Sequence, residues 1–467
     1  MRGGPVIDLH VTRQLVDFCV QLTPEKLPAA AMDAARRLAF DFAGVALRGS
    51  LESSSRAVVD AVRRLSPEGA GTCTIIGHSR KVLPQYAALA NGSSVHGLEL
   101  DDIHPQAGVH VGATVFAAGF AMAQQTGASG ADLLAAAVAG YEVACRIGIA
   151  LPLAEHSAHG FHSTGTCGVF GAAMTASRLL GLSAEQTLNA LGIAGSQAAG
   201  SLEYRTERAD TKRLHPGWAA HCGIVAAELA RSGVTGPQRI LEGRAGFLRS
   251  YSDNPLPETL VAGLGEEFHI ARTSIKPHAA CRYSQGIIDA SIDVVSRHDI
   301  RPDEVARITI GLFKAAFPSV VEPPEFKRRP RFMADAQFSA NFAAAAIALW
   351  RQVTMREYEA DRLHSPALHA MIDLVECVEA PELNALFPQR WPAKVEFVLK
   401  DGRRLAGSVD RLKGDPDYPL SWDELVAKFK YLAGSVLDSE RVARIIAVAG
   451  SLETCKADDL VSLLASD

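Results

Sequence analysis

Within the fifteen residues 96–110 this chain carries His96, Glu99, Asp101, Asp102, His104 and His110, with alanine-rich apolar sequence on both sides. Carboxylates and imidazoles at that density are costly to bury unless they pair or work. Turns and helix caps also collect Asp and His. The chemistry such a set can do is proton transfer near neutral pH, imidazole moving the proton and carboxylate orienting the ring. A second insertion, 156–165, brings His156, His159 and His162. A third, 203–217, brings Arg205, Arg208, Lys212, Arg213 and His215. The run 276–282 adds Lys276, Cys281 and Arg282. Cations gathered among small apolar helices point to an anionic ligand, because Arg and Lys pair with carboxylate or phosphate more strongly once water is excluded.

The elements that must hold these groups are mostly helical. Residues 10–49 read as two helices parted at Thr23-Pro24-Glu25, with Thr23 as cap and Pro24 at the first helical position. Helices follow over 51–66, 84–95, 112–126 and 130–150. The last has no wide polar face, so it belongs in the interior, and Glu142 within it needs a partner. Ser183-Ala184-Glu185-Gln186 opens another helix as a capping box, and a helix is expected over 218–232. From about 250 proline, glycine and β-branched residues rise. Residues 304–313, 393–400 and 403–409 alternate as strands, the last two joined by Asp401-Gly402. Helices at 279–298 and 334–350 lie between them, and Ser421-Trp422-Asp423-Glu424 restores helix to the end. The expected fold is mainly α, a large all-helical domain with an inserted smaller α+β domain. The divisions are 1–268, 269–410 and 411–467, the last packing back on the first.

Composition narrows the class. Forty-seven basic against 52 acidic residues give a net charge of −5, which suggests neither nucleic acid nor an anionic membrane surface as partner. The eight cysteines are scattered with no Cys-x-x-Cys, which fits a reducing cytoplasm. The start, Met1-Arg2-Gly3-Gly4-Pro5, leads into an amphipathic helix and not a signal peptide. The most apolar stretch, 131–141, reads as too short to span a bilayer. His156, His159 and His162 recur every third residue and His96-x-x-Glu99 offers a second spacing, but neither matches a zinc pattern, so no metal is expected. No Gly-x-Ser-x-Gly elbow and no dinucleotide loop occurs.

Taken in order, the motifs resemble the MmgE/PrpD family over nearly the whole chain. They are Ala90-Asn91-Gly92 with His96-Gly97-Leu98-Glu99-Leu100-Asp101-Asp102, Gly108-Val109-His110, Gly140-Tyr141-Glu142-Val143 and Phe161-His162-Ser163-Thr164 with Gly168. Thr211-Lys212-Arg213-Leu214-His215-Pro216-Gly217, Lys276-Pro277 with Cys281-Arg282, Gln337-Phe338-Ser339 and Lys413-Gly414-Asp415-Pro416 complete the series. That family includes 2-methylcitrate dehydratase, cis-aconitate decarboxylase and iminodisuccinate epimerase. The resemblance implies a helical domain with an α+β lid, a site between the two, no metal or organic cofactor, and a homodimer. By the same matching, site residues are Glu99, Asp101, Asp102, His110, His162, Lys212 and Lys276, with His215, Cys281 and Arg282 nearby. Decarboxylase-like members carry Asp-Asp-Thr where this chain has Asp102-Ile103, and a tyrosine where it has Phe342. Two hydroxyls are thereby missing.

The expectation is a cofactor-free dehydratase-type lyase on a small di- or tricarboxylate such as a 2-methylcitrate-like hydroxy acid. Catalytic roles are assigned to His110, His162, Asp101, Asp102 and Lys212, and substrate binding to Glu99, His104, Lys276, Arg282, His215 and Cys281. Lys212, Lys276 and Arg282 would hold carboxylates, His110 and His162 would exchange protons, and Asp101 or Asp102 would orient a histidine. Alternatives are a dicarboxylate epimerase, a cis-aconitate-type decarboxylase, and a non-catalytic dicarboxylate-binding protein.

Overall fold

The computed structural model describes residues 10–207, 209–387 and 389–466; the reading of the first residues and of Arg208 lies outside them. The chain is mainly α with a smaller α+β part. It divides into two compact units, residues up to Ile275 together with those from Ser421, and Lys276–Leu420. The sequence puts these junctions earlier, at 268/269 and 410/411. Backbone pairing explains both differences. Ser274 and Ile103 exchange hydrogen bonds of 2.8 and 3.0 Å, tying 269–275 to the polar loop of the first unit. Lys413 donates its N–H to Asp289 at 3.1 Å, and Leu412 is fully buried, which keeps 411–420 with the second.

The first unit is a stack of small-residue helices. Gly112–Thr126 stops where Gly127 turns left-handed at φ 70°, a conformation glycine adopts without a Cβ penalty. Gly130–Ala150 starts at Ser129, whose hydroxyl accepts the Asp132 N–H at 3.0 Å. By length and composition this 21-residue helix could cross a membrane, which corrects the shorter apolar stretch read from sequence; in the fold 94% of its most apolar window is buried. Its neighbours are Ala29–Gly49, Gly112–Thr126 and Ser163–Leu179. Ala29–Gly49 begins after Pro28, while Thr23-Pro24 opens only a one-turn 3₁₀ segment, Pro24–Lys26. The expected capping box at Ser183 forms and starts Ala184–Gly195. The C-terminal helix Trp422–Ala433 lies on Ala29–Gly49, with Phe429 and Trp422 stacked on Phe40 at 4.4 and 5.1 Å and Lys428 paired to Asp41 at 2.6 Å.

Two helices differ clearly from their expected spans: the run 334–350 is divided into Met333–Gln337 and Ala340–Trp350, and the helix expected at 218–232 starts earlier. Thr211–Arg231 begins seven residues before the anticipated start and carries Pro216 inside it. Proline near a helix start removes few internal hydrogen bonds. Lys212 and His215 therefore sit on the first helical turns and not in a loop. A small antiparallel ladder, β1 (Cys73–Thr74) with β2 (Lys81–Val82), completes this unit's strands among the described residues.

The second unit holds a four-stranded sheet. Its strands are β3 (Val305–Leu312), β4 (Val375–Glu379), β5 (Ala393–Leu399) and β6 (Arg404–Val409), in the order β4-β3-β5-β6. The β5–β6 hairpin turns at Asp401-Gly402, with Gly402 at φ 91°. Strand β4, parallel to β3, is the strand the sequence reading lacks: five residues, Val-Glu-Cys-Val-Glu, alternate too briefly to stand out. Helices Arg282–His298 and Ala340–Trp350 pack on each other and on this sheet.

Candidate active site

The polar loop 97–111 joins two helices end to start, Pro84–His96 and Gly112–Thr126. His96 is the last residue of the first, and Asp102 closes the second. Both Asp102 oxygens accept the Gly112 N–H, at 3.0 and 3.1 Å, and one accepts the Tyr141 hydroxyl at 2.6 Å. A carboxylate at a helix start meets the orphan N–H groups and the positive end of the dipole. A Cβ at Gly112 would stand 2.7 Å from Asp102 Oδ1 and 2.8 Å from the Tyr141 oxygen, so this contact needs glycine. Burial pushes the Asp102 carboxyl up to about 7 although the Tyr141 hydrogen bond opposes it. Its hydrogen bonds go to the scaffold.

Asp101, one residue earlier, is placed differently. Its Oδ2 lies 2.6 Å from His96 Nδ1 and 3.2 Å from His110 Nδ1. His96 is fully buried and Asp101 nearly so. The His96 ring stands 4.9 Å from that of His110 and 5.6 Å from that of His162. His110 is anchored by its N–H to Thr164 Oγ1 at 3.2 Å. His162 precedes helix Ser163–Leu179, its N–H held by the Gly200 carbonyl at 2.9 Å, and its Nδ1 meets His215 Nδ1 at 3.0 Å. Tyr204 flanks this pair, 6.2 Å from His162 and 5.9 Å from His215 between ring centres.

His215 and Lys212 arrive by a backbone-to-backbone helix crossing. A Cβ on Gly92 would lie 2.7 Å from the Gly217 Cα, and one on Gly217 would lie 2.2 Å from the Leu89 carbonyl. Only glycine at both positions lets Pro84–His96 and Thr211–Arg231 approach so closely. On the near end Lys212 Nζ pairs with Glu99. Glu99 has φ 54°, a left-handed conformation uncommon for a non-glycine residue, of the sort that collects at functional sites.

Electrostatically this is a set of buried neutral imidazoles beside a lysine. Burial lowers His96 to about 3 and His215 to about 4, and the Lys212 charge adds to both effects. Burial also holds His162 well below its ordinary value, with His96, His215, His110 and Arg205 adding. A carboxylate ligand would oppose these neighbouring positive charges and draw the imidazoles back toward neutral pH.

Six of the expected residues thus share one cluster: Glu99, Asp101, His110, His162, Lys212 and His215. Sequence reasoning places His96 in the polar set but gives it no site role, whereas in the fold it lies between Asp101, His110 and His162. His104 and Asp102 go elsewhere. His104 Nδ1 accepts the Ala107 N–H at 3.1 Å, so its proton is on Nε2, 3.2 Å from His269 Nδ1. Both its ring nitrogens are taken by protein partners, which leaves none for substrate. Lys276, Cys281 and Arg282 belong to the second unit. There Lys276 is buried, Arg282 pairs with Asp415 at 2.6 Å with its guanidinium 5.5 Å over Trp391, and Cys281 donates its N–H to the Gln337 carbonyl at 2.8 Å.

The triplet of histidines separates. His156 lies 3.2 Å from the Tyr251 carbonyl and 3.0 Å from the Thr166 hydroxyl, His159 faces Asp253, and His162 joins the cluster. His96, Asp101 and His110 offer ligand atoms within 4.8 Å of one another, a set a divalent metal could use. The 2.6 Å between His96 and Asp101 is a hydrogen-bond separation, shorter than the roughly 3.3 Å between neighbouring ligands on zinc with bonds of about 2.0 Å. As it stands the arrangement shares protons.

Residues 13–260 match the MmgE/PrpD N-terminal domain and 278–454 the MmgE/PrpD C-terminal domain. A cis-aconitate decarboxylase-like protein, oryM, of Aspergillus oryzae is 32% identical over 98% of each chain. A cis-aconitate decarboxylase of Aspergillus terreus is 27% identical over 93% of this chain and 91% of its own. That of Homo sapiens is 28% identical over 79% and 77%.

Proposed function

The chain belongs to the MmgE/PrpD family, and we propose that it is a lyase acting on a small di- or tricarboxylate by moving a proton at a carbon next to a carboxylate. The observation that carries this reading is Asp101 placed between His96 and His110, with His162, His215 and Lys212 beside them.

In the dehydration we favour, a neutral imidazole, His110 or His162, takes the C–H proton. The released electron pair forms a carbon–carbon double bond as the C–O bond breaks, and the hydroxide leaves as water with a proton from the other ring, which enters the step as imidazolium, its charge supported by the bound carboxylate. Negative charge gathers meanwhile on the substrate carboxylate, and Lys212 stabilises it there after trading Glu99 for the substrate. Asp101, hydrogen-bonded to His96, lies 3.2 Å from the His110 ring nitrogen and supplies negative charge beside it.

Decarboxylation is the second reading, favoured by the names of the relatives. There the carbon–carboxylate bond breaks, carbon dioxide leaves, and the electron pair left on carbon takes a proton from a ring that enters the step as imidazolium. Ile103 and Phe342 count against the cis-aconitate form of it. Ile103 is buried and backbone-paired to Ser274, and Phe342 is buried and stacked on Tyr358 at 5.1 Å, so neither position supplies a hydroxyl.

Proton NMR in deuterated water over a panel of hydroxy di- and tricarboxylates and cis-aconitate tests the reading. Dehydration produces a carbon–carbon double bond, read as a new vinyl proton or, from a 2-methylcitrate-like acid, as a methyl signal moved to the vinylic position. Decarboxylation produces deuterium at the carbon that lost carbon dioxide, and epimerisation produces α-deuterium with no double bond. Tight binding with neither turnover nor exchange on any member would replace the lyase with a carboxylate-binding protein.

A further inference from the structure

We propose that Arg205 is a specificity-determining residue of this site: it takes the second carboxylate of a di- or tricarboxylate whose first is held by Lys212, and so sets a preference for polyanionic over monoanionic ligands. The inference rests on the carboxylate reading of the site and deepens it by naming the group that recognises the second charge.

Backbone pairing brings Arg205 to the cluster. The His162 N–H meets the Gly200 carbonyl at 2.9 Å, and the Leu202 N–H meets the Gly160 carbonyl at 2.8 Å. The one-turn helix Tyr204–Glu207 starts directly after this pairing, which sets Tyr204 edge-on to the rings of both His162 and His215. The Arg205 guanidinium lies 6.0 Å over that same Tyr204 ring. His215 is only half-buried while His96 is fully so, and solvent therefore reaches the cluster from the side that Tyr204 and Arg205 flank. The other described cations of this insertion are engaged, Lys212 with Glu99 and Arg213 with the Ser54 hydroxyl at 3.1 Å. The Arg205 side chain meets no carboxylate among the described residues. Glu203 and Glu207 stand two positions to either side, about 200° round a helical turn, and do not share its face. A guanidinium offers five donors and no acceptor, a fork that a planar carboxylate matches with two bonds. Lys212 can neutralise one carboxylate. A second one at the solvent side of the cluster meets an uncompensated guanidinium there, and a methyl group in its place gains nothing.

Calorimetric titration of the full chain with citrate, succinate and butyrate tests this, together with kcat and KM on any carboxylate that turns over. Arg205 is exposed, so replacing it strands no buried group and the melting temperature should hold. Arg205→Gln should weaken citrate and succinate about 10-fold and leave butyrate within about twofold, the scale of one charge-assisted pair at a solvent-facing rim. Arg205→Glu should weaken the two polyanions further, to about 100-fold, because a like charge then faces the second carboxylate. KM should rise in step with kcat within about threefold, the sign of lost binding and not of lost chemistry. Citrate affinity should also fall more steeply with added salt in the unmodified protein than in Arg205→Gln. Equal losses for citrate and butyrate, or no loss for either, would overturn the assignment and leave the lyase reading in place. The expected order of affinities with no turnover on any carboxylate would remove the lyase and keep Arg205. An unmodified protein that binds none of the three would remove both.

Discussion

The loop 97–111 feeds two buried histidine clusters, and they are built on opposite plans. Three residues after Asp101, His104 enters a closed network. Its partner His269 donates its backbone N–H to Glu142 at 2.5 Å, Glu142 accepts Arg146 at 2.9 Å, and Arg146 reaches the Ala262 carbonyl at 2.7 Å. Burial there lowers His104 to about 3 and His269 to about 4, and raises Glu142. The Asp101 cluster is equally buried but open, with Asp101 hydrogen-bonded to His96, and with His96 Nε2 and His110 Nδ1 both left without a hydrogen-bond partner among the described residues. A closed network rigidifies the fold; an open one keeps acceptors for a ligand. Burial alone does not distinguish scaffold from chemistry, whereas unspent hydrogen-bonding capacity does.

The contrast can be broken most directly at His162. His162→Ala should cut turnover by about 10²–10⁴-fold with the melting temperature little changed, as steady-state kinetics and calorimetry would record. Rates near those of the unmodified enzyme would remove the open cluster from the mechanism. The opposite result is expected from Glu142→Leu. Stranding the buried Arg146 charge should cost about 3–5 kcal/mol in denaturant unfolding while the folded fraction keeps its kcat within a few-fold. A kcat loss matching that of His162→Ala would merge the two clusters into one.

Adjacent carboxylates sharpen it further. Asp101→Asn should lose about 10–100-fold in kcat because the negative charge that His96 is bonded to, and that lies 3.2 Å from His110 Nδ1, is removed. Asp102→Asn should leave kcat within about fivefold, because an amide oxygen can still accept from Gly112 and Tyr141, each such bond being worth about 1 kcal/mol. Equal kinetic losses would contradict the division of labour.

The smallest effect is on acid stability. His96, His104, His215 and His269 have folded-state values of about 3 to 4, below the ordinary 6.5. Between those limits the unfolded chain binds more protons, so stability is full above about pH 6.5 and falls as pH drops through that window. Asp102, raised to about 7, contributes the opposite slope between its ordinary 3.8 and about 7, but it is one group against four. The melting temperature should therefore be several degrees lower at pH 5 than at pH 7.5. A flat profile would show that these rings are protonated in the fold.

Much of this was legible beforehand. The helices at 112–126 and 130–150, the capping boxes at Ser183 and Ser421, and the Asp401-Gly402 hairpin follow from local patterns. Strand β4 was not, because a five-residue parallel strand depends on a partner some seventy residues away, as in the pairing of Ile308 with Val375. Nor was the start of helix 211–231, because a proline more often ends a helix than lies inside it, and Pro216 lies inside this one.

By itself the sequence determined that the chain is mainly helical, where its polar insertions fall, and which residue types they hold. Spacing, capping and apolar periodicity act over a few residues and need no distant partner. Only the tertiary structure decided that Asp101 bonds His96 while its neighbour Asp102 closes a helix, and that His96 stands among the other rings while His104 braces the scaffold. Which way a carboxylate or ring faces is set by the left-handed turn at Glu99 and by two glycines, 92 and 217, meeting across a helix crossing. Those contacts join positions more than a hundred residues apart, beyond the reach of any local pattern.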